Sequence, residues 1–197
     1  MGFPLDAVVN VEQVDDKNWK LRRALEYEAT GRKFVAGVDM ATDFASVPRI
    51  FVWLLPRYGR YTKAAIIHDY LWREGVKKGE ITLREADALF RNAMAELKVA
   101  FLRRWVMWAA VRWGALKKGG PFSDWWRDFP LVLLFTALVL PVVGPPALLV
   151  QVALVAFFVL DLIVWLVLKA WAAATRKLTP SRAPKEPVNR PSLTWKL

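Results

Sequence analysis

Three features of the sequence predict an α+β domain followed by an apolar helical membrane segment. Short runs rich in Val and aromatic residues, punctuated by turn residues, fill roughly the first 40 positions. From about residue 46 the signals change to helix caps and helix-period apolar spacing. Residues 129–168 are then almost wholly apolar, with Gln151 and Asp161 the clear polar exceptions.

The N-terminal part reads as a small antiparallel β-meander packed on helices. Residues 7–14 are Val-rich, residues 18–29 alternate around Trp19, Leu21, Leu25 and Tyr27, and residues 33–38 form a third short run after the turn Thr30-Gly31-Arg32. So few strands need a cover, which the following helices can supply. Ser46-Val47-Pro48 predicts a helix start, with Ser46 as cap, Pro48 in the first turn and Pro56 as the stop. Residues 62–72 predict a helix with Ala64, His68, Leu71 and Trp72 near one face and Asp69 beside it.

Thr82-Leu83-Arg84-Glu85 is a capping box, and a helical pattern runs from it to about Lys117. Its first half places Ala86, Leu89, Phe90, Ala93, Met94 and Leu97 on one side. Its second half interleaves Trp105, Trp108 and Trp113 with Arg103, Arg104 and Arg112, the composition of a helix in a lipid headgroup layer; an amphipathic core helix is the alternative. Gly119-Gly120-Pro121 stops it.

Gly144-Pro145-Pro146 divides the apolar run into two arms, which predicts a transmembrane helical hairpin; one span preceded by a re-entrant arm is the alternative. Lys117, Lys118 and Arg127 precede it and Lys169, Arg176 and Lys177 follow it, while the intervening turn carries no charge. Both ends are therefore expected on the cytoplasmic side of the inner membrane. Asp161 would contact another copy or reach toward Lys169. The expected division is residues 1–100 for the α+β domain, 101–128 for a Trp/Arg-rich interfacial helix and linker, 129–175 for the hairpin and 176–197 for a disordered basic tail.

Composition narrows the partners. Of 197 residues 55% are hydrophobic and 11 are Trp, and the net charge is +11. The basic residues cluster beside the apolar run, so an anionic lipid surface explains them and nucleic acid does not. Without Cys there is no disulfide, thiolate ligand or thiol nucleophile. The stretch MGFPLDAVV lacks the features of a signal peptide, and Asp6 stands where a myristoylation site has Ser or Thr.

The candidate chemistry lies in residues 39–72. They hold the only histidine, His68, next to Asp69, and the cluster Thr42-Asp43-Phe44-Ala45-Ser46-Val47-Pro48-Arg49. A histidine with a carboxylate partner is a general base near neutral pH, and equally a hydrogen-bonded core residue. For the cluster, a turn followed by a helix cap is as good a reading as ligand binding, with Asp43 bonding the turn and Ser46 capping. P-loop, dinucleotide, HExxH and zinc spacings are absent, and no nucleophile elbow surrounds Ser46.

TDFASVPR at 42–49, AAIIHDYLW at 64–72 and READALFRNAM at 84–94 together resemble a family of phage and prophage proteins, domain of unknown function 1353, over roughly residues 15–100. That resemblance implies a phage origin and no particular activity. The His-Asp helix followed by a second Asp-bearing helix also looks like the catalytic helices of secreted phospholipase A2. This second likeness implies His68 as the base that deprotonates water, Asp87 as the residue that orients it, and Asp69, helped by Asp43, as ligands of Ca2+. The family's Gly-rich, Cys-bearing calcium loop is absent here, and Trp72 stands where that family has Tyr. Two functions are expected. One is a membrane-anchored, phospholipase-like hydrolase. The other is a non-enzymatic phage membrane or virion component in lysis, genome entry or superinfection exclusion, partnered by phospholipid, copies of itself or phage proteins.

Overall fold

The structure is a computed structural model that describes residues 2–45, 47–117, 122–178 and 189–191. The chain forms two units, Met1–Val142 and Val143–Leu197.

In the first unit five short strands make two antiparallel sheets instead of one meander. Strands β1 (Val11–Gln13), β2 (Trp19–Leu21) and β5 (Ala41–Thr42) pair in the order β1-β2-β5. Strands β3 (Leu25–Ala29) and β4 (Arg32–Ala36) form a separate hairpin. The alternating run at 18–29 breaks at Arg22 and Arg23, which turn outward to Asp39 and Asp6. Leu25, Tyr27 and Ala29 keep the inward face beyond the break. The β3–β4 turn is the expected one: Ala29 pairs with Arg32, and Thr30 and Gly31 both take positive φ, at 52° and 72°.

Residues 46–55 depart from expectation. A 3₁₀ turn, Arg49–Phe51, stands where a helix was predicted, and it has no side-chain cap. Two prolines within nine residues, Pro48 and Pro56, leave too little room for helical turns to propagate. The cap role of Ser46 lies outside the described residues.

Helix α1 (Thr62–Tyr70) buries Ala64, Ala65, Ile66 and Ile67, and runs directly into a π-helical turn, Leu71–Gly75. Helix α2 (Leu83–Glu96) starts at the predicted capping box: the Glu85 amide donates to Thr82 Oγ1 at 3.2 Å, and the Thr82 amide donates to Glu85 Oε2 at 2.9 Å. Ala86, Leu89, Phe90, Ala93 and Met94 enter the core with Leu21, Leu25, Tyr27 and Phe34.

The long helix expected from 83 to 117 is two helices. Lys98 takes φ 56°, the Val99 amide donates to Met94 O at 3.0 Å, and the Lys98 amide donates to Ala95 O at 3.0 Å. These bonds are a Schellman ending, with Val99 buried over Met94. A lysine holds the left-handed position that glycine usually marks, so the sequence carries no visible stop. Helix α3 (Phe101–Lys117) follows. Its Met107, Trp108, Ala109 and Arg112 are buried inside the unit, so one face of this helix is a core face, while Phe101, Leu102 and Trp113 are exposed. Arg91 of α2 stacks over Trp105 and Trp108, at 4.1 and 5.1 Å from the ring centres.

Helix α4 (Phe122–Leu178) begins in the first unit, where Val132 and Phe135 pack on Trp105, Trp108 and Ala109. The reversal expected at Gly144-Pro145-Pro146 is not formed: these residues are helical, and the hairpin argument for both ends facing the cytoplasm falls with it. No Asn, Asp or Ser stands nearby to compete for the backbone, and an apolar surrounding favours bonds within the helix. Residues 124–176 are one helix long and apolar enough to cross a membrane. In the second unit Leu148, Leu149, Phe157 and Val167 are exposed. Asp161 is exposed too, and Lys169 lies over the Trp165 ring, not against Asp161. Most of the basic tail, including Trp195, lies outside the described residues.

Thr30 is a β-branched residue in a left-handed conformation. Replacing it with Asn should raise stability by ~0.5–1 kcal/mol in chemical denaturation, and no gain would mean that its hydroxyl bond to Ala29 O offsets the strain.

Candidate functional site

The centre of the first unit is a buried carboxylate. Asp87 shares an α2 face with Ala86 and Phe90 and is fully buried. His68 Nε2 lies 2.7 Å from Asp87 Oδ1, Trp72 Nε1 donates to the same oxygen at 3.0 Å, and Arg112 donates to Oδ2 at 3.1 Å. Arg112 is 2% exposed and Asp87 0%, so each is the other's countercharge in a setting without water.

This geometry decides the histidine tautomer. An ionised carboxylate only accepts hydrogen bonds, so Nε2 carries the proton and donates. Nδ1 then holds the lone pair, and among the described residues no hydrogen bond reaches it. The ring packs against Phe90, with centroids 4.7 Å apart, and tilts toward Trp72 at 6.0 Å. The His68 side chain is 12% exposed, so one edge meets solvent.

The network continues outward. Arg112 also pairs with Asp128 at 3.2 Å and donates to the Asp124 carbonyl at 3.2 Å. Trp125 donates to the Arg112 carbonyl at 3.1 Å. Arg84 grips both oxygens of Asp128, at 2.9 and 3.1 Å. One chain of charges, His68–Asp87–Arg112–Asp128–Arg84, thus joins α1, α2, α3 and the start of α4. The π-helical turn widens the backbone just after α1 and brings Trp72 to Asp87.

Asp69 belongs to a second, shallower cluster. Thr42 Oγ1 donates to Asp69 Oδ2 at 2.7 Å and accepts from the Phe44 amide at 3.0 Å, so Thr42 ties this turn to α1. Phe44 has φ 60° there. Arg73 donates to the Ala41 carbonyl at 2.8 Å and lies 3.9 Å from Asp43. Burial pushes the Asp69 carboxyl from 3.8 up to about 6; the Thr42 bond opposes this and Asp43 adds to it. Arg49 is exposed at the head of the 3₁₀ turn. Ser46 lies outside the described residues.

Residues 19–111 match a family described as protein of unknown function (DUF1353). This segment belongs to that family. No curated protein and no solved structure matches the chain. The DUF1353 segment carries His68, Trp72, Arg84 and Asp87 but ends one residue before Arg112. Arg112 and Asp128, which complete the network, therefore lie outside the matched residues.

Sequence reasoning paired His68 with Asp87 and missed Arg112, Asp128 and the role of Trp72. A signal for Arg112 existed: it shares a helix face with Trp108, Ala109 and Ala115, all of them buried. Calcium fits poorly. Among the described residues no three His, Cys, Asp or Glu side chains gather to hold a metal ion. Asp69 is occupied by Thr42, and Arg73 already supplies a cation beside Asp43.

Substituting Arg112 with Met leaves Asp87 buried without its countercharge. Stability should fall by ~3–5 kcal/mol in denaturant titration, against a small loss for Arg84→Met at the exposed end.

Asp69 makes a pH prediction. Its folded value lies above its unfolded one, so its contribution is present below about pH 4 and is lost as pH rises through about 6. Asp69→Asn keeps an acceptor for Thr42. It should raise the melting temperature at pH 7.5 and change little at pH 4, and equal shifts at both would contradict the raised value.

Proposed function

We propose that this chain is a membrane-anchored protein in which His68 acts as the general base of an ester hydrolase working on phospholipid. The observation that carries the reading is the 2.7 Å contact between His68 Nε2 and a carboxylate held from its other side by Arg112. Asp87 fixes the ring's orientation and tautomer and stabilises the imidazolium that forms once Nδ1 takes a proton. The long apolar helix is the anchor, and it keeps the domain at the surface where lipid esters lie.

In this reading a water at the solvent-facing edge of His68 gives its proton to Nδ1 as its oxygen attacks the ester carbonyl carbon. When the C–O bond to the alcohol breaks, the Nδ1 proton passes to the leaving oxygen, and carboxylic acid and alcohol result. Nε2 stays bonded to Asp87 throughout. The donors around Asp69 are too few for Ca2+, and no step uses it.

One observation favours a second reading, a non-enzymatic phage membrane or virion component. Neither the groove around residues 58–63 nor the pocket around Tyr27 is lined by His68, and Asp87 takes its hydrogen bonds from His68, Trp72 and Arg112 within the fold. There the dyad would serve only to lock helices together.

Full-length protein in mixed micelles with a fluorogenic phospholipid separates the two. His68→Gln should lower turnover by ~10²–10⁴-fold, with a melting temperature that falls but stays above the assay temperature, since the Gln amide can still donate to Asp87. Unchanged turnover in the variant would remove His68 as the base, and a silent native chain would favour the second reading.

A further inference from the structure

Away from the dyad, residues 7–9, 58–60, 62–63 and 97–98 surround an open groove of about 760 Å³. Three cations line it, Arg60, Lys63 and Lys98, and none of its lining residues is a carboxylate. The nearest acids in sequence are engaged elsewhere: Asp6 pairs with Arg23, and Glu96 accepts from the Tyr27 hydroxyl. The groove is also apolar in part, through Val8, Tyr58 and Leu97. Tyr58 is 71% exposed and Val8 57%, and just beyond Lys98 the side chains of Phe101 and Leu102 stand 59% and 48% exposed. The first turn of α1, which contributes Thr62 and Lys63, holds no acidic residue to neutralise the cations.

We infer that this groove binds the phosphate-bearing headgroup of an anionic phospholipid. Three like charges in one concavity repel one another and are relieved by an anion. A free phosphate would need only the cations. Exposed aromatic and aliphatic side chains beside them are explained by a ligand with an apolar part, and the chain carries a helix able to cross a membrane. The inference is independent of His68 as a base, because no dyad residue lines the groove.

Hydrogen exchange on the full-length chain in lipid nanodiscs tests it. In discs mixing phosphatidylglycerol with phosphatidylcholine, the amides of 58–63 and 97–98 should exchange about tenfold more slowly than in pure phosphatidylcholine. Substituting Gln at Arg60, Lys63 and Lys98 together should abolish this difference. Substituting Gln at Lys77 and Lys78, and His68→Gln, should each leave it intact. Equal protection in both lipids, or protection that survives the triple substitution, would overturn the inference. Equal protection by glycerol phosphate added to phosphatidylcholine discs would overturn it too, by making the site one for soluble phosphate esters. Should the triple variant unfold, Lys63→Gln alone with a melting curve gives the same comparison, with a partial loss expected.

Discussion

A fully buried carboxylate with three donors is the constraint on which the first unit depends. Asp87 has no water to share its charge with, so His68, Trp72 and Arg112 must all be in place at once. Those donors come from α1, from the π-helical turn and from α3. Their convergence sets the relative positions of the helices far more tightly than apolar contact alone, which tolerates sliding and repacking. Arg112 in turn needs Asp128, so the start of α4 is held by the same chain of charges.

The same arrangement gives His68 a defined chemistry. Its Nε2 is committed to Asp87, its ring lies against Phe90, and its side chain is 12% exposed. A histidine sealed in the core and bonded to backbone would have none of these properties. The neighbouring Asp69 faces a different task. It ties α1 to the β5 turn through Thr42, and its raised proton affinity follows from that half-closed position.

Much of this was legible along the chain wherever the physics is local. The Thr82–Glu85 capping box, the two-residue turn at Thr30-Gly31 and the apolar face of α2 each follow from contacts within a few residues, and each appears as read. The pairing of His68 with Asp87 was legible from the resemblance of two motifs, and the 2.7 Å contact agrees with it. Local rules misled where an atypical residue took a special role. Lys98 ends α2 in a left-handed conformation that glycine would have advertised, so two helices read as one. Gly144-Pro145-Pro146 read as a reversal, yet the backbone stays helical there.

The sequence by itself determined the α+β class of the first part, the Thr82–Glu85 cap, the Thr30-Gly31 turn and the presence of a long apolar helix. Those depend on composition, on period and on side chains bonding near neighbours. Only the tertiary structure decided that Arg112 is an internal countercharge and not a headgroup contact, that Asp128 completes it, and that Asp69 answers to Thr42. Each of these pairs lies 16 to 44 residues apart or on separate elements, for example Arg84 and Asp128. No local pattern encodes such a meeting, because it exists only once the helices have packed and water has been removed from between them.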